Sequence, residues 1–98
     1  MEKKCILKCR VNTQTGTSKR TGNAWQTDEW LAVIPGQHEK KINFSVKGFD
    51  RCNQWLDFFN GIPDKNQPVL IKFEINAHEY QGRWFNEIEA WDISLTSW

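Results

Sequence analysis

Runs of alternating hydrophobicity, broken once by a stretch of helical period, predict an all-β chain of five strands with one short helix between the third and fourth. Apolar side chains recur at every second position from Cys5 to Val11, from Lys40 to Lys47 and from Val69 to Ala77. Between them, Cys52, Trp55, Leu56 and Phe59 fall at i, i+3, i+4 and i+7, one face of an amphipathic helix. Gln81-Gly82 then sits at the centre of a mirror-related apolar pattern, as the tip of a β-hairpin does. At 98 residues the chain is long enough for one core and too short for two, so residues 1–98 read as a single domain.

The first strand places Cys5, Leu7, Cys9 and Val11 on its buried face and Ile6, Lys8, Arg10 and Asn12 on the other. Thr13 to Asn23 is polar, contains glycine and has no apolar period, and is expected to be an exposed, mobile loop carrying Lys19 and Arg20. A second strand runs from about Trp25 to Ile34 and turns at Pro35-Gly36. The third, Lys40 to Lys47, buries Ile42, Phe44 and Val46. In the helix, Asp50 is expected to cap the N-terminus and Gly61 to end it in a left-handed conformation before Pro63. A two-residue loop at Gln81-Gly82 pairs Tyr80 with Arg83, Ile75 with Ile88 and Phe73 with Ala90, so apolar meets apolar. The same register turns Tyr80, Arg83, His78, Phe85, Lys72 and Trp91 outward. Five strands with a helix after the third is the order of the OB-fold, a five-stranded Greek-key barrel. An SH3-like barrel has no place for a helix of about ten residues there.

The run KKINFSVKGFDRCNQWL followed by VLIKFEINAHEYQGRWFNEIEAWDI resembles bacterial single-stranded-DNA-binding proteins, whose last hairpin ends in a pattern of the type R-Y-x-T-E-V-x-A. Here that element reads Arg83-Trp84-Phe85-Asn86-Glu87-Ile88-Glu89-Ala90. The chain is still more similar to a family of short OB-fold proteins of unknown function, marked by GNAW (Gly22 to Trp25), EYQGRW (Glu79 to Trp84) and the downstream Ala90-Trp91. The resemblance covers roughly residues 5 to 93. The bacterial proteins continue into a disordered acidic tail that recruits partners; this sequence stops at LTSW, so tail-mediated recruitment is not expected. The fourth strand also has Phe73-Glu74-Ile75 where the bacterial pattern carries a glycine.

An OB-fold binds single strands with cations for phosphates and aromatic rings for bases. Six Trp, six Phe and one Tyr exceed what so small a core buries. Trp55 and Phe59 belong to the helix face and Phe44 and Phe73 to the barrel interior, which leaves Trp25, Trp30, Tyr80, Trp84, Phe85 and Trp91 as candidate platform residues. Trp30 has two outcomes: Leu31 opposite Phe44 turns it outward, Ala32 opposite Phe44 turns it in. Trp84 shares the inward parity at a hairpin tip, where stacking and closing the barrel mouth compete. Trp91 and Phe85 are equally suited to a subunit contact, and Tyr80 with Arg83 to a plain cross-strand cation-π pair. Lys19, Arg20, Lys40, Lys41, Lys47 and Lys72 are the candidate phosphate contacts, each otherwise a solvated surface charge. Glu74, Glu87 and Glu89 argue against the middle of the last hairpin as a strand-binding track.

The expected function is binding of single-stranded DNA, with RNA as the other substrate, at little sequence preference and as a homo-oligomer, dimer or tetramer. The rival expectation is a protein-interaction or assembly module that uses the barrel without nucleic acid. Formal charge is only +1, but residues 1 to 20 hold six bases against Glu2, whereas residues 73 to 98 hold five acids against Arg83, a distribution that suggests a local positive stripe. No enzyme, cofactor or metal is expected: there is no phosphate-binding glycine loop, and His38 and His78 lack Cys or His at ligand spacing. Pro63-Asp64 is not followed by the acidic-x-Lys of a nuclease. Three cysteines leave one unpaired, and Cys5 to Cys9 along a strand spans roughly 13 Å, too far for a disulfide. All three are therefore expected as small core residues of a protein in a reducing compartment. The start MEKKCILKCR lacks the apolar run of about 7 to 15 residues of a secretory leader. With no apolar run near the roughly 20 residues that span a bilayer, a cytoplasmic location without membrane partner is expected.

Overall fold

A computed structural model describes all residues, Met1 to Trp98. Its elements are β1 (Glu2–Thr17), β2 (Ala24–Ile34), β3 (Lys40–Lys47), α1 (Phe49–Gly61), β4 (Val69–Tyr80) and β5 (Arg83–Leu95). The strands close into a barrel in the order β1-β2-β3-β5-β4. β1 links β2 to β4, while β3 meets β5 in parallel at the single pair Ser45 and Glu89. The β1–β2 and β4–β5 hairpins run on past the closed part as two arms, which stretches the molecule to 44 × 32 × 21 Å.

The core is aromatic where the helix meets the sheet. Trp30 of β2 is fully buried, its ring centroid 5.3 Å from Phe59 and 6.2 Å from Trp55, both on α1. Phe44 packs edge-on against Phe73 at 5.5 Å. Phe44, Val46, Val69, Ile71 and Ala90 complete the interior. Trp30 pairs with Phe44, which has the parity of the inward alternative, so Trp30 is a core residue and not a ligand platform.

Several local expectations are corrected. β1 carries bulges between Leu7 and Cys9 and between Arg10 and Asn12, and each extra residue shifts the alternation. Cys9 and Val11 are therefore exposed rather than buried, and Arg10 turns inward, its Nη1 donating to Oδ2 of the fully buried Asp28 at 3.5 Å. Gln26 Nε2 donates to the other oxygen of Asp28 at 3.0 Å. The stretch Thr13 to Asn23 is not all loop: β1 continues to Thr17 in register with β2, and the turn is closed by Ser18 N donating to Asn23 O at 2.8 Å. An arm wetted on both faces needs no apolar period, so the strand was silent in the sequence.

The N-cap of α1 is Gly48, not Asp50. Gly48 has φ 100, and it supplies no side-chain cap. The positive φ lets the chain leave β3 and enter the helix at once, with Gly48 N donating to Gln26 O at 2.9 Å. Asp50 sits in the first turn, where a carboxylate favours the helix dipole. Nor does Gly61 take a left-handed conformation; the helix ends at Ile62, extended at φ −71 and ψ 120. Ile62 precedes Pro63, whose ring disfavours helical geometry in the residue before it. The β4–β5 register is the expected one, with Gln81 (φ 51) and Gly82 (φ 77) in a two-residue turn of the primed kind.

Cys5 and Cys52 are buried and all three cysteines are free thiols. Burial pushes the Cys5 thiol up to about 11, against a small opposing effect of Lys3, and the Cys52 thiol up to about 11 with help from Asp28. Both stay protonated at neutral pH and serve as packing. No helix is long and apolar enough to cross a membrane.

The Trp30 indole N–H meets no acceptor. Trp30→Ala is expected to cost about 3 to 5 kcal/mol, whereas Trp30→Phe keeps a ring against Trp55 and removes an unsatisfied donor, so it costs much less. Urea unfolding midpoints check the ranking; equal losses would contradict it.

Candidate nucleic-acid interface

β3 and β5 diverge after their single pair, and a groove of about 690 Å³ opens there across the outer face of β2 and β3. β1 supplies Gln14, β2 supplies Thr27 and Glu29, and β3 supplies Lys41, Asn43, Ser45 and Lys47. The opposite wall is His78 of β4 with Phe85, Asn86, Glu87 and Ile88 of β5. Strand parity explains the first wall: with Trp30 and Phe44 pointing in, Thr27, Glu29, Asn43 and Ser45 must point out.

Aromatic rings stand at both ends. Trp25 lies two residues beyond Thr27 on the same face of β2, about 7 Å further along the strand, and is 43% exposed. Its ring lies over Gly16, its cross-strand partner; a Cβ on Gly16 would come 2.6 Å from Cζ2. At the other end, Phe85 lines the groove opposite His78, and the next pair outward is Tyr80 with Arg83. Tyr80 is 65% exposed, and Gln81 Nε2 reaches its hydroxyl at 3.5 Å. Trp84, 69% exposed, lies opposite Glu79 on the other face of the hairpin, with Ile75.

Of the candidate cations, the fold gathers only Lys41 and Lys47 on the groove wall. Lys47 Nζ stands 2.8 Å from Glu87 Oε1 and 3.8 Å from Glu89 Oε2. The Glu87 carboxylate in contact with it raises the Lys47 pKa above the ordinary lysine value, against some desolvation. That stabilisation is in full force below the ordinary pKa and is lost as pH climbs through the raised one, well into the alkaline range. The second oxygen of Glu87 is 3.1 Å from His78 Nε2. Glu29 accepts from Asn12 Nδ2 at 3.2 Å and Asn43 Nδ2 at 3.5 Å. Lys41 makes no ion pair.

The other cations are elsewhere. Lys19 and Arg20 are exposed in the β1–β2 turn, and Lys40 is exposed at the start of β3. Lys72 is remote from the groove, paired in register with Glu2 and Asp92, its Nζ 5.6 Å over the Trp91 ring. The bases of the N-terminal end do not line the groove, whose wall carries two lysines against two glutamates beside His78. Gln14, Thr27, Asn43, Ser45 and Asn86 were not singled out from sequence; alternation exposes Asn43 and Ser45, but small neutral polar residues carry no chemistry of their own to flag them. No three His, Cys, Asp or Glu side chains come close enough together to hold a metal ion.

A closed five-stranded barrel with its helix between the third and fourth strands is an OB-fold, here with a polar, ring-flanked groove on the face of β2 and β3. Residues 5–94 match the model of DUF3127, a domain of unknown function, and the chain belongs to that family. Among solved structures it is similar to the mitochondrial single-stranded DNA binding protein Rim1 of S. cerevisiae, with a TM-score of 0.61 over 97% of this chain and 91% of that one. Identity is 14%, so the likeness is one of fold. No curated protein matches the sequence.

Gly16→Ala should push the Trp25 ring off the strand, moving the Trp25 indole N–H resonance and lowering stability by about 1 to 3 kcal/mol. An unmoved resonance would contradict the packing described.

Proposed function

We propose that this OB-fold is a non-catalytic module that binds single-stranded nucleic acid, DNA in the first place, along the groove between its two hairpin arms. The observation that carries the reading is the open polar groove bracketed by Trp25 at one end and by Phe85, Tyr80 and Arg83 at the other. Exposed rings offer π-faces to unstacked bases, and every base has one, so sequence preference is low. Lys41 is the unpaired cation placed to meet a phosphate. The likeness in fold to a single-stranded DNA binding protein supports the same reading. Because the groove is neutral, stacking supplies most of the affinity, and the salt dependence is shallow for a nucleic-acid binder. Residues 1–98 act as one module, in the cytoplasm, without a membrane partner.

A second reading has its own observation. Ile75, 49% exposed, and Trp84 share the face of the β4–β5 arm that runs on from the barrel interior. An apolar face of that kind suits a subunit contact, so the module is read as a homo-oligomer, dimer or tetramer. If assembly is the whole function, the groove binds nothing.

Oligo-dT is expected to quench the intrinsic tryptophan fluorescence at low salt, with recovery as salt rises. Trp25→Ala and Phe85→Ala should each weaken binding by about 1 to 3 kcal/mol, while Trp30→Phe leaves it unchanged. Absence of both quenching and a mobility shift at low salt would refute nucleic-acid binding. Trp84→Ala, followed by light scattering, is expected to lower the oligomeric mass; an unchanged mass would remove Trp84 from any subunit contact.

A further inference from the structure

The groove has two lysines, and the fold treats them differently. Lys41 faces solvent without a carboxylate partner, whereas Lys47 is held by Glu87 at 2.8 Å and Glu89 at 3.8 Å. Glu89 is also directly opposite Glu74 in the β4–β5 register, a like-charge pair that is unfavourable without a nearby cation. Lys47 is the ammonium that neutralises this acidic patch. A phosphate that drew Lys47 away would leave Glu87 and Glu89 uncompensated beside Glu74 and beside its own negative charge. The groove therefore carries a built-in competitor for phosphate.

We propose that Glu87 sets the affinity of this groove for single strands by occupying Lys47 in place of a nucleic-acid phosphate. The inference rests on the groove being the binding site. It divides the two lysines: Lys41 contacts phosphate in the native protein, and Lys47 does so only when Glu87 is neutralised. Glu87 is half-buried on the wall and anchored from its other oxygen by His78 at 3.1 Å, so it is held toward Lys47 rather than swung into solvent. Binding by the native protein is accordingly governed by its rings, and it stays weak enough to be released from any one stretch of strand.

Fluorescence titration with oligo-dT across a salt series tests this on the wild type, Glu87→Gln, Lys47→Gln and the double variant. Glu87→Gln should bind about three- to tenfold tighter, and the slope of log affinity against log salt should steepen by about 0.7, the signature of one further phosphate contact on a single strand. Lys47→Gln alone leaves Glu87 and Glu89 uncompensated on the wall and should bind no tighter than the wild type, and adding Glu87→Gln to it should not steepen the salt slope. Glu89→Gln, which removes only the longer contact, should give a smaller gain; it carries the test if Glu87→Gln lowers the melting temperature too far to be used. A salt slope that steepens in the double variant as much as in Glu87→Gln, or Glu87→Gln folding normally with unchanged affinity and slope, would overturn the assignment while leaving the groove as the binding site. Failure of wild type and every variant to bind would overturn the functional reading and this inference together.

Discussion

The contact of Trp30 with Trp55 and Phe59 governs everything on the surface of this protein. It docks α1 against β2, and by drawing Trp30 inward it fixes the parity of the whole strand. Trp25, Thr27 and Glu29 then have no choice but the outer face, and the pairing of Trp30 with Phe44 turns Asn43, Ser45 and Lys47 to the same side. A one-residue slip would exchange these sets, burying a glutamate and exposing an indole. The groove is thus a consequence of core packing several ångströms away.

Closure of the barrel is thinnest where β3 meets β5, and the groove lies there. One backbone pair, Ser45 with Glu89, is reinforced by the Lys47 contacts to Glu87 and Glu89. The same ion pair that ties the two strands together neutralises a positive charge on the groove wall. Structure and electrostatics are coupled at this point, while the bases of the N-terminal end lie away from the groove wall. Lys3 and Lys4 lie within the β1–β4 ladder, opposite Ile71 and Leu70, and Lys72 is engaged with the Trp91 ring.

Much of the barrel was legible in the sequence because its elements are half-buried. β3, with Phe44 and Val46 buried between exposed neighbours, shows a clean period of two, and the β4–β5 register follows from matching Ile75 with Ile88 and Phe73 with Ala90. The helix was legible from Cys52, Trp55 and Phe59, but its first residue was not, since Gly48 caps through backbone freedom and not through a side chain. β1 was misread beyond Leu7 because bulges at Lys8 and Val11 leave no mark in hydrophobicity, and Arg10 pointing inward is understandable only once Asp28 is seen beneath it. The groove was half legible: Trp25, Tyr80, Arg83, Lys41 and Lys47 sit on or beside it. Trp30, Lys72 and the turn cations do not line its wall, and whether a ring faces core or solvent depended on a register that two adjacent strands left open.

In the proposed function a single strand lies across β2 and β3 between the two arms. The most direct measurement is an amide and indole chemical-shift map of the protein on titration with oligo-dT at low salt. The account predicts shifts concentrated at Trp25, Thr27, Asn43, Ser45 and Phe85, with α1 unaffected. Shifts centred on α1 or on the Lys72–Trp91 face, or no shifts at all, would contradict it.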